Sequence, residues 1–289
     1  NAEILLSGDS CYGACDLAQG QAETLGADMI IHYGHSNMLG ETAIPVLYVD
    51  ARVDFEARSL AEKALPLMGD WERIGLTATL QHAHKLEEVS EALQRSGLRT
   101  IIGSGSSRTS HDGQILGCDY TSAQSISDRV DGFLFIGAGR FHPLGLAATT
   151  GKPVIIADPY SMRAEKLDEK EVTRLAMRRM AAITAAREAK RIGILVSTKP
   201  GQLQMATART LQRKISRRGG KTAIICLDEI TPLKLGNFTE SEAYINTACP
   251  RMALDGLPEI EKPLLTTTEA QVMLGERRWE EVWGHSYFE

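Results

Sequence analysis

An α/β fold follows from three features of the chain. Short β-branched runs alternate with longer helical patterns, the runs are apolar throughout rather than at every second residue, and the alternation repeats at a larger scale. Continuous apolar runs joined by helices are the mark of parallel strands covered on both faces. In order the runs are EILLS, DMIIHY, PVLYVD, RIGLTA, RTIIGS, GFLFIG, PVIIAD, RIGILV and KTAIIC. Helical patterns fill the gaps at 56–68, 85–96, 169–190 and 203–218. In the third of these, Val172, Ala176, Met180 and Ile183 form the expected buried stripe, and the many Lys and Arg residues form a solvated face.

The larger repeat divides the chain further. Residues 73–102 and 191–225 both open on Arg-Ile-Gly, pass through a polar loop and a helix containing Leu-Gln-Arg, stop at glycine and end in a Thr-containing Ile-Ile strand. The stretch around Cys15 likewise parallels the stretch around Cys118. These matches predict three similar parallel-sheet α/β domains in a pseudo-threefold arrangement, at 1–72, 73–190 and 191–289. The first domain lacks the Arg-Ile-Gly strand and its helix, so about 30 residues are expected to be missing before Glu3.

Composition narrows the function. Of 289 residues, 43% are hydrophobic and 24% charged, which is the balance of an ordinary globular protein. A net charge of -5 argues against nucleic acid as the main partner. No apolar run approaches the roughly 18 residues that span a bilayer, and no secretory signal is visible, so a cytoplasmic protein without membrane partners is expected.

Five cysteines are odd in number and widely spread, which suits a reducing compartment better than a disulfide framework. Cys226, in TAIIC, reads as a small buried hydrophobe, and Cys11 as a bystander. Alignment of the repeats leaves one cysteine per unit, Cys15, Cys118 and Cys249, the last aligning least well. Three thiolates satisfy three irons of a 4Fe-4S cluster and leave the fourth open, whereas a structural zinc normally takes four ligands. No HExxH or CxxC occurs, and a CxxxCxxC loop begun at Cys11 and Cys15 fails at Ala18.

The remaining candidates lie where strands end, the rim at which open α/β sheets bind ligands. Gly137 and Gly139 follow one strand, and Ser197, Thr198, Lys199 and Gln202 follow another; small-ligand contact and ordinary turn chemistry both fit them. His32, His35 and His142 could line the same cleft or serve as local hydrogen-bonding residues. Arg251 could hold a substrate carboxylate in a bidentate pair, or pair with a nearby acid.

At GDSCYGACDLA, GQILGCDY, VSTKPGQ and NTACPRMALDG the sequence resembles the archaeal diphthamide-biosynthesis 3-amino-3-carboxypropyltransferases, over essentially the whole chain. The resemblance implies that Cys15, Cys118 and Cys249 bind one 4Fe-4S cluster, and that the protein is a homodimer served by an electron donor. It further implies reductive radical cleavage of S-adenosylmethionine, with transfer of the aminocarboxypropyl group to C2 of a histidine in translation elongation factor 2. Gly137, Gly139, Ser197, Thr198, Lys199, Gln202, Arg251 and His35 are then the expected cosubstrate contacts. Two other readings share the three-cysteine pattern: a dehydratase resembling quinolinate synthase, and a triplicated binding protein with structural cysteines.

Overall fold

The structure, a computed structural model, describes residues 2–257 and 259–288. Eleven strands are described: β1 (Ile30–Tyr33), β2 (Val46–Val49), β3 (Arg73–Ala78), β4 (Arg99–Ile102), β5 (Gly132–Ile136), β6 (Val154–Asp158), β7 (Arg163–Lys166), β8 (Arg191–Ser197), β9 (Lys221–Leu227), β10 (Ala243–Asn246) and β11 (Leu264–Leu265). They form three sheets, ordered β1-β2, β4-β3-β5-β6-β7 and β9-β8-β10-β11. The second and third sheets share one plan, in which the first strand lies between the second and third and the fourth follows outside. The pair β1-β2 corresponds to the last two strands of that plan, and every pairing is parallel except β6 with β7.

Alternate residues of each buried strand feed cores on opposite faces. In the second sheet Ile74, Leu76, Leu134 and Ile136 pack against the helices Ala57–Met68 and Leu86–Arg95. Phe133, Phe135, Val154 and Ile156 meet Tyr120, Ala123 and the helix Phe141–Thr150 on the other side. Gly75 is required beside this layer, because a Cβ there would stand 2.5 Å from the Phe133 ring. In the third sheet Ile192, Ile194, Val196 and Ile245 pack on the helices Glu169–Arg187 and Met205–Ser216. The helix Glu169–Arg187 thus follows the second sheet in sequence yet covers the third.

Four sequence expectations are corrected. EILLS forms no strand; no described strand lies beside it, and a strand exists only by pairing. The strands β7, β10 and β11 are additions: AYIN and LL are too short to stand out, and RAEK is a charged antiparallel edge. Cys226 is exposed, because β9 is an edge strand that is only partly covered, with Lys221, Ala223 and Cys226 all open to solvent. On the helix Glu169–Arg187 the buried line is Leu175, Arg179, Ile183 and Ala186, whereas Met180 is exposed.

Candidate metal centre

Parallel strands all end on the same rim of their sheet, so the loops that follow them share that rim. Cys118 lies in the loop between β4 and β5, and Cys15 in the stretch that leads to β1. Cys249 follows β10, the counterpart of β5, so its place in the third unit is one strand later than that of Cys118 in the second. The predicted equivalence of the cysteines therefore does not extend to the loop that carries Cys249.

The three thiols are electrostatic neighbours. Burial pushes the Cys249 thiol up to about 11, and the proximity of Cys118 and Cys15 adds to the rise. Cys118 is raised chiefly by burial; Arg108 pulls it down, while Cys15 and Asp119 push it up. Two of the sulfurs have an N–H donor, of a different kind in each case. The Gln202 amide donates to Cys15 Sγ at 3.2 Å and the Arg108 guanidinium to Cys118 Sγ at 3.1 Å, while the main chain of Arg251 lowers the Cys249 thiol. Three soft sulfurs, each beside a group that favours the thiolate, suit a soft metal or an iron-sulfur cluster.

The backbone around Cys15 is held just as closely. Gly201 donates its N–H to the Cys15 carbonyl at 2.9 Å, and a Cβ at Gly201 would lie 2.5 Å from Cys15 Cα. Only glycine lets the 197–202 loop approach this far. Beside it, Lys199 Nζ forms a buried ion pair with Asp16 Oδ1 at 2.8 Å, and the main-chain N–H of Tyr12 donates to the other carboxylate oxygen. Lys199 and Gln202 thus reach the segment that carries Cys15.

The other predicted residues are placed as follows. Ser197 is buried; its hydroxyl donates to the Asp228 carbonyl at 3.0 Å, and Thr198 bonds the Asp228 side chain. Arg251 Nε donates to Asp255 at 2.6 Å, and its guanidinium lies 4.8 Å from the Phe141 ring centroid. His142 stacks on Phe135; burial, followed by the charge of Arg251, lowers it to about 4. Gly137 and Gly139 follow β5, with Gly139 in the left-handed region at φ 82°. His32 and His35 face each other, with Nε2 and Nδ1 3.1 Å apart, and they lie beside Cys11. Arg108 and Asp16 were not anticipated. The one available signal for Arg108 is its place in GSGSSRTS, directly after a strand, on the ligand-binding rim.

Among the described residues, no helix is long and apolar enough to cross a membrane. Residues 1–284 match the family model for diphthamide synthesis proteins. The chain is 39% identical over 281 residues to the 2-(3-amino-3-carboxypropyl)histidine synthase of Pyrococcus horikoshii, covering 96% of this chain and 79% of that one. It is 31% identical to subunit 1 of the synthase of the same name from Kluyveromyces lactis, but spans only 65% of that relative's length. A crystal structure of Dph2 from Pyrococcus horikoshii with a 4Fe-4S cluster superposes with a TM-score of 0.88 at 38% identity, over 96% of this chain and 80% of that one. This chain belongs to the diphthamide synthesis family.

Proposed function

We propose that this protein is a transferase that moves the 3-amino-3-carboxypropyl group of S-adenosylmethionine to C2 of a histidine in translation elongation factor 2, the first step of diphthamide biosynthesis. The observation that carries this reading is the proximity of Cys15, Cys118 and Cys249, from three separate stretches of chain, with an N–H donor on the first two sulfurs. That donor set fits a 4Fe-4S cluster, which the three cysteines would hold with one iron left open. When bound, the cluster supplies the single electron that cleaves the bond between the sulfonium and the aminocarboxypropyl carbon.

The chain's own residues have distinct tasks on this reading. Arg108, Gln202 and the Arg251 main chain stabilise the thiolate forms that metal binding requires. Lys199 is oriented by Asp16 and Arg251 by Asp255, which leaves two cations on the rim for the cosubstrate carboxylate. Gly137 and Gly139 let the main chain approach the cosubstrate, while Ser197 and Thr198 hold the loop that bears Lys199 and Gln202 against Asp228. His35 completes the contacts from the first sheet. The choice of which sulfonium bond breaks rests on how these groups aim the cosubstrate. We assign the reaction to the cytoplasm, to a homodimer and to an external electron donor.

Anaerobic reconstitution tests the reading. The loaded, reduced protein should convert S-adenosylmethionine to methylthioadenosine and modify elongation factor 2, and its low-temperature electron paramagnetic resonance signal should change on addition of S-adenosylmethionine. Release of 5′-deoxyadenosine would overturn the proposed bond cleavage, and absence of iron would overturn the cluster.

A further inference from the structure

The geometry points to a second metal site, in which Cys11, His32 and His35 bind one zinc-like divalent cation beside the cluster cysteines. The ligating atoms of these three side chains all lie within 4.8 Å of one another. The two imidazole nitrogens that face each other are already 3.1 Å apart. With Zn–N and Zn–S bonds of about 2.0 and 2.3 Å, ligand atoms of a tetrahedral site stand about 3.3 to 3.7 Å apart. The imidazole pair is thus close to its metal-bound separation; the rings would turn and the Cys11 sulfur move inward to converge on one ion. Cys11 is exposed, and its thiol donates to the Asp16 carbonyl at 3.4 Å and the Gly13 carbonyl at 3.9 Å, bonds that the metal would replace.

The local fold and charge support the same occupant. His32 ends the buried side of β1 and packs edge-on against Tyr48 at 5.7 Å, while His35 lies just past the strand, so the imidazoles are held by the sheet. Without a cation, one of the facing nitrogens must carry the proton of a hydrogen bond; with one, both present lone pairs. Burial lowers both histidines and so favours their neutral, ligating form. The Asp16 carboxylate acts on all three side chains and adds negative charge where a cation would be held. Nitrogen and sulfur donors of this kind select zinc-like ions over magnesium or calcium. Binding would release the Cys11 thiol proton to solvent and leave one coordination position for water. The site stands on these three side chains and does not depend on the cluster reading.

The test uses Co2+ on the full chain carrying Cys15→Ala, Cys118→Ala and Cys249→Ala, where the cluster cysteines contribute nothing. One Co2+ per chain is expected, with a sulfur-to-cobalt charge-transfer band and the visible bands of a four-coordinate ion. Addition of Cys11→Ala should remove the charge-transfer band, and His32→Asn should weaken binding at least about tenfold. Absence of the band, or its survival in Cys11→Ala, overturns the site. If that triple background does not fold, zinc analysis of the native chain with its cluster assembled decides the question. One zinc after dialysis in the native chain and none in Cys11→Ala, at equal iron content, supports the site; equal zinc in both overturns it. Failure of the cluster reading would appear separately, as missing iron, and leaves the Co2+ measurement intact.

Discussion

Two polar centres lie at opposite ends of the helix Pro250–Asp255, one buried and one half-buried, and they are built on opposite principles. At its C-terminal end, Arg179 is completely partnered. It bonds Glu269 through Nε at 2.7 Å and a terminal nitrogen at 2.6 Å, and it donates to the carbonyls of Ala253 and Leu264, each at 2.6 Å. Glu269 also accepts from Tyr287 and from the main chain of Thr266, so no charge in this centre is left over. At the N-terminal end, Cys249 and Cys118 lie near Cys15, and burial, with the neighbouring cysteines adding to it, raises both of their thiols. The first centre is complete as folded, while on the proposed reading the second becomes favourable only when a cation replaces the thiol protons. A buried charge network without a deficit is a latch, and a half-buried group of thiols is suited to binding.

Substitutions sharpen that contrast, beginning with the largest effect. Cys118→Ala should abolish iron binding and reduce methylthioadenosine formation by more than about 100-fold, whereas the metal-free chain should melt no lower than the native one. Calorimetry of both forms checks this; a lower melting temperature of the metal-free variant would make Cys118 structural. Glu269→Gln should do the reverse. Leaving Arg179 buried and unpaired should cost about 3 to 5 kcal/mol of stability in denaturant titrations, with iron stoichiometry unchanged wherever the chain stays folded.

Gly201→Ala drives a methyl group into the Cys15 backbone and should cost about 1 to 3 kcal/mol while lowering iron content. Normal iron in a destabilised variant would show that the contact matters only to the fold. Arg108→Gln removes the charged donor to Cys118 and should make the midpoint potential of the loaded protein more negative, with roughly 10-fold slower turnover. An unchanged potential would mean that the guanidinium does not tune the site. The mildest effect concerns acid. Burial holds His82 at about 4, well below its ordinary 6.5, so between these values the unfolded chain takes up a proton that the folded chain refuses. Stability present above pH 6.5 should fall as the pH drops toward 4, and His82→Leu should flatten that slope in melting curves.

Much of this was legible in the sequence, for reasons that differ between residues. The proximity of three cysteines could be expected because cysteine is scarce in the chain and the repeat reading singles out Cys15, Cys118 and Cys249. The parallel sheets could be found because long apolar runs survive in β3, β5, β6 and β8. Arg179 was not legible. It sits among other basic residues on a helix that looks solvated, and Glu269, the partner that decides its burial, is 90 residues away. Arg108 was hidden in the same way, as one loop arginine among polar neighbours whose sulfur contact arises only when the chain doubles back. The strands β10 and β11 are too short to carry a period, and their existence is settled by the neighbours they pair with.

The one-strand offset of Cys249 suggests a rewiring experiment. Cys118 lies three residues before the helix Thr121–Gln124, and in the third unit the matching place before the helix Pro232–Leu235 is held by Glu229. Conversely, Cys249 lies three residues past β10, and the matching place past β5 is Gly139. Cys118 and Cys249 therefore stand at different positions of the plan that the second and third sheets share. The pairing of Cys249→Ala with Glu229→Cys would move the third thiol to the position that matches Cys118. Such a chain would ask whether the proposed metal binding needs the thiols at matched loop positions or only near one another.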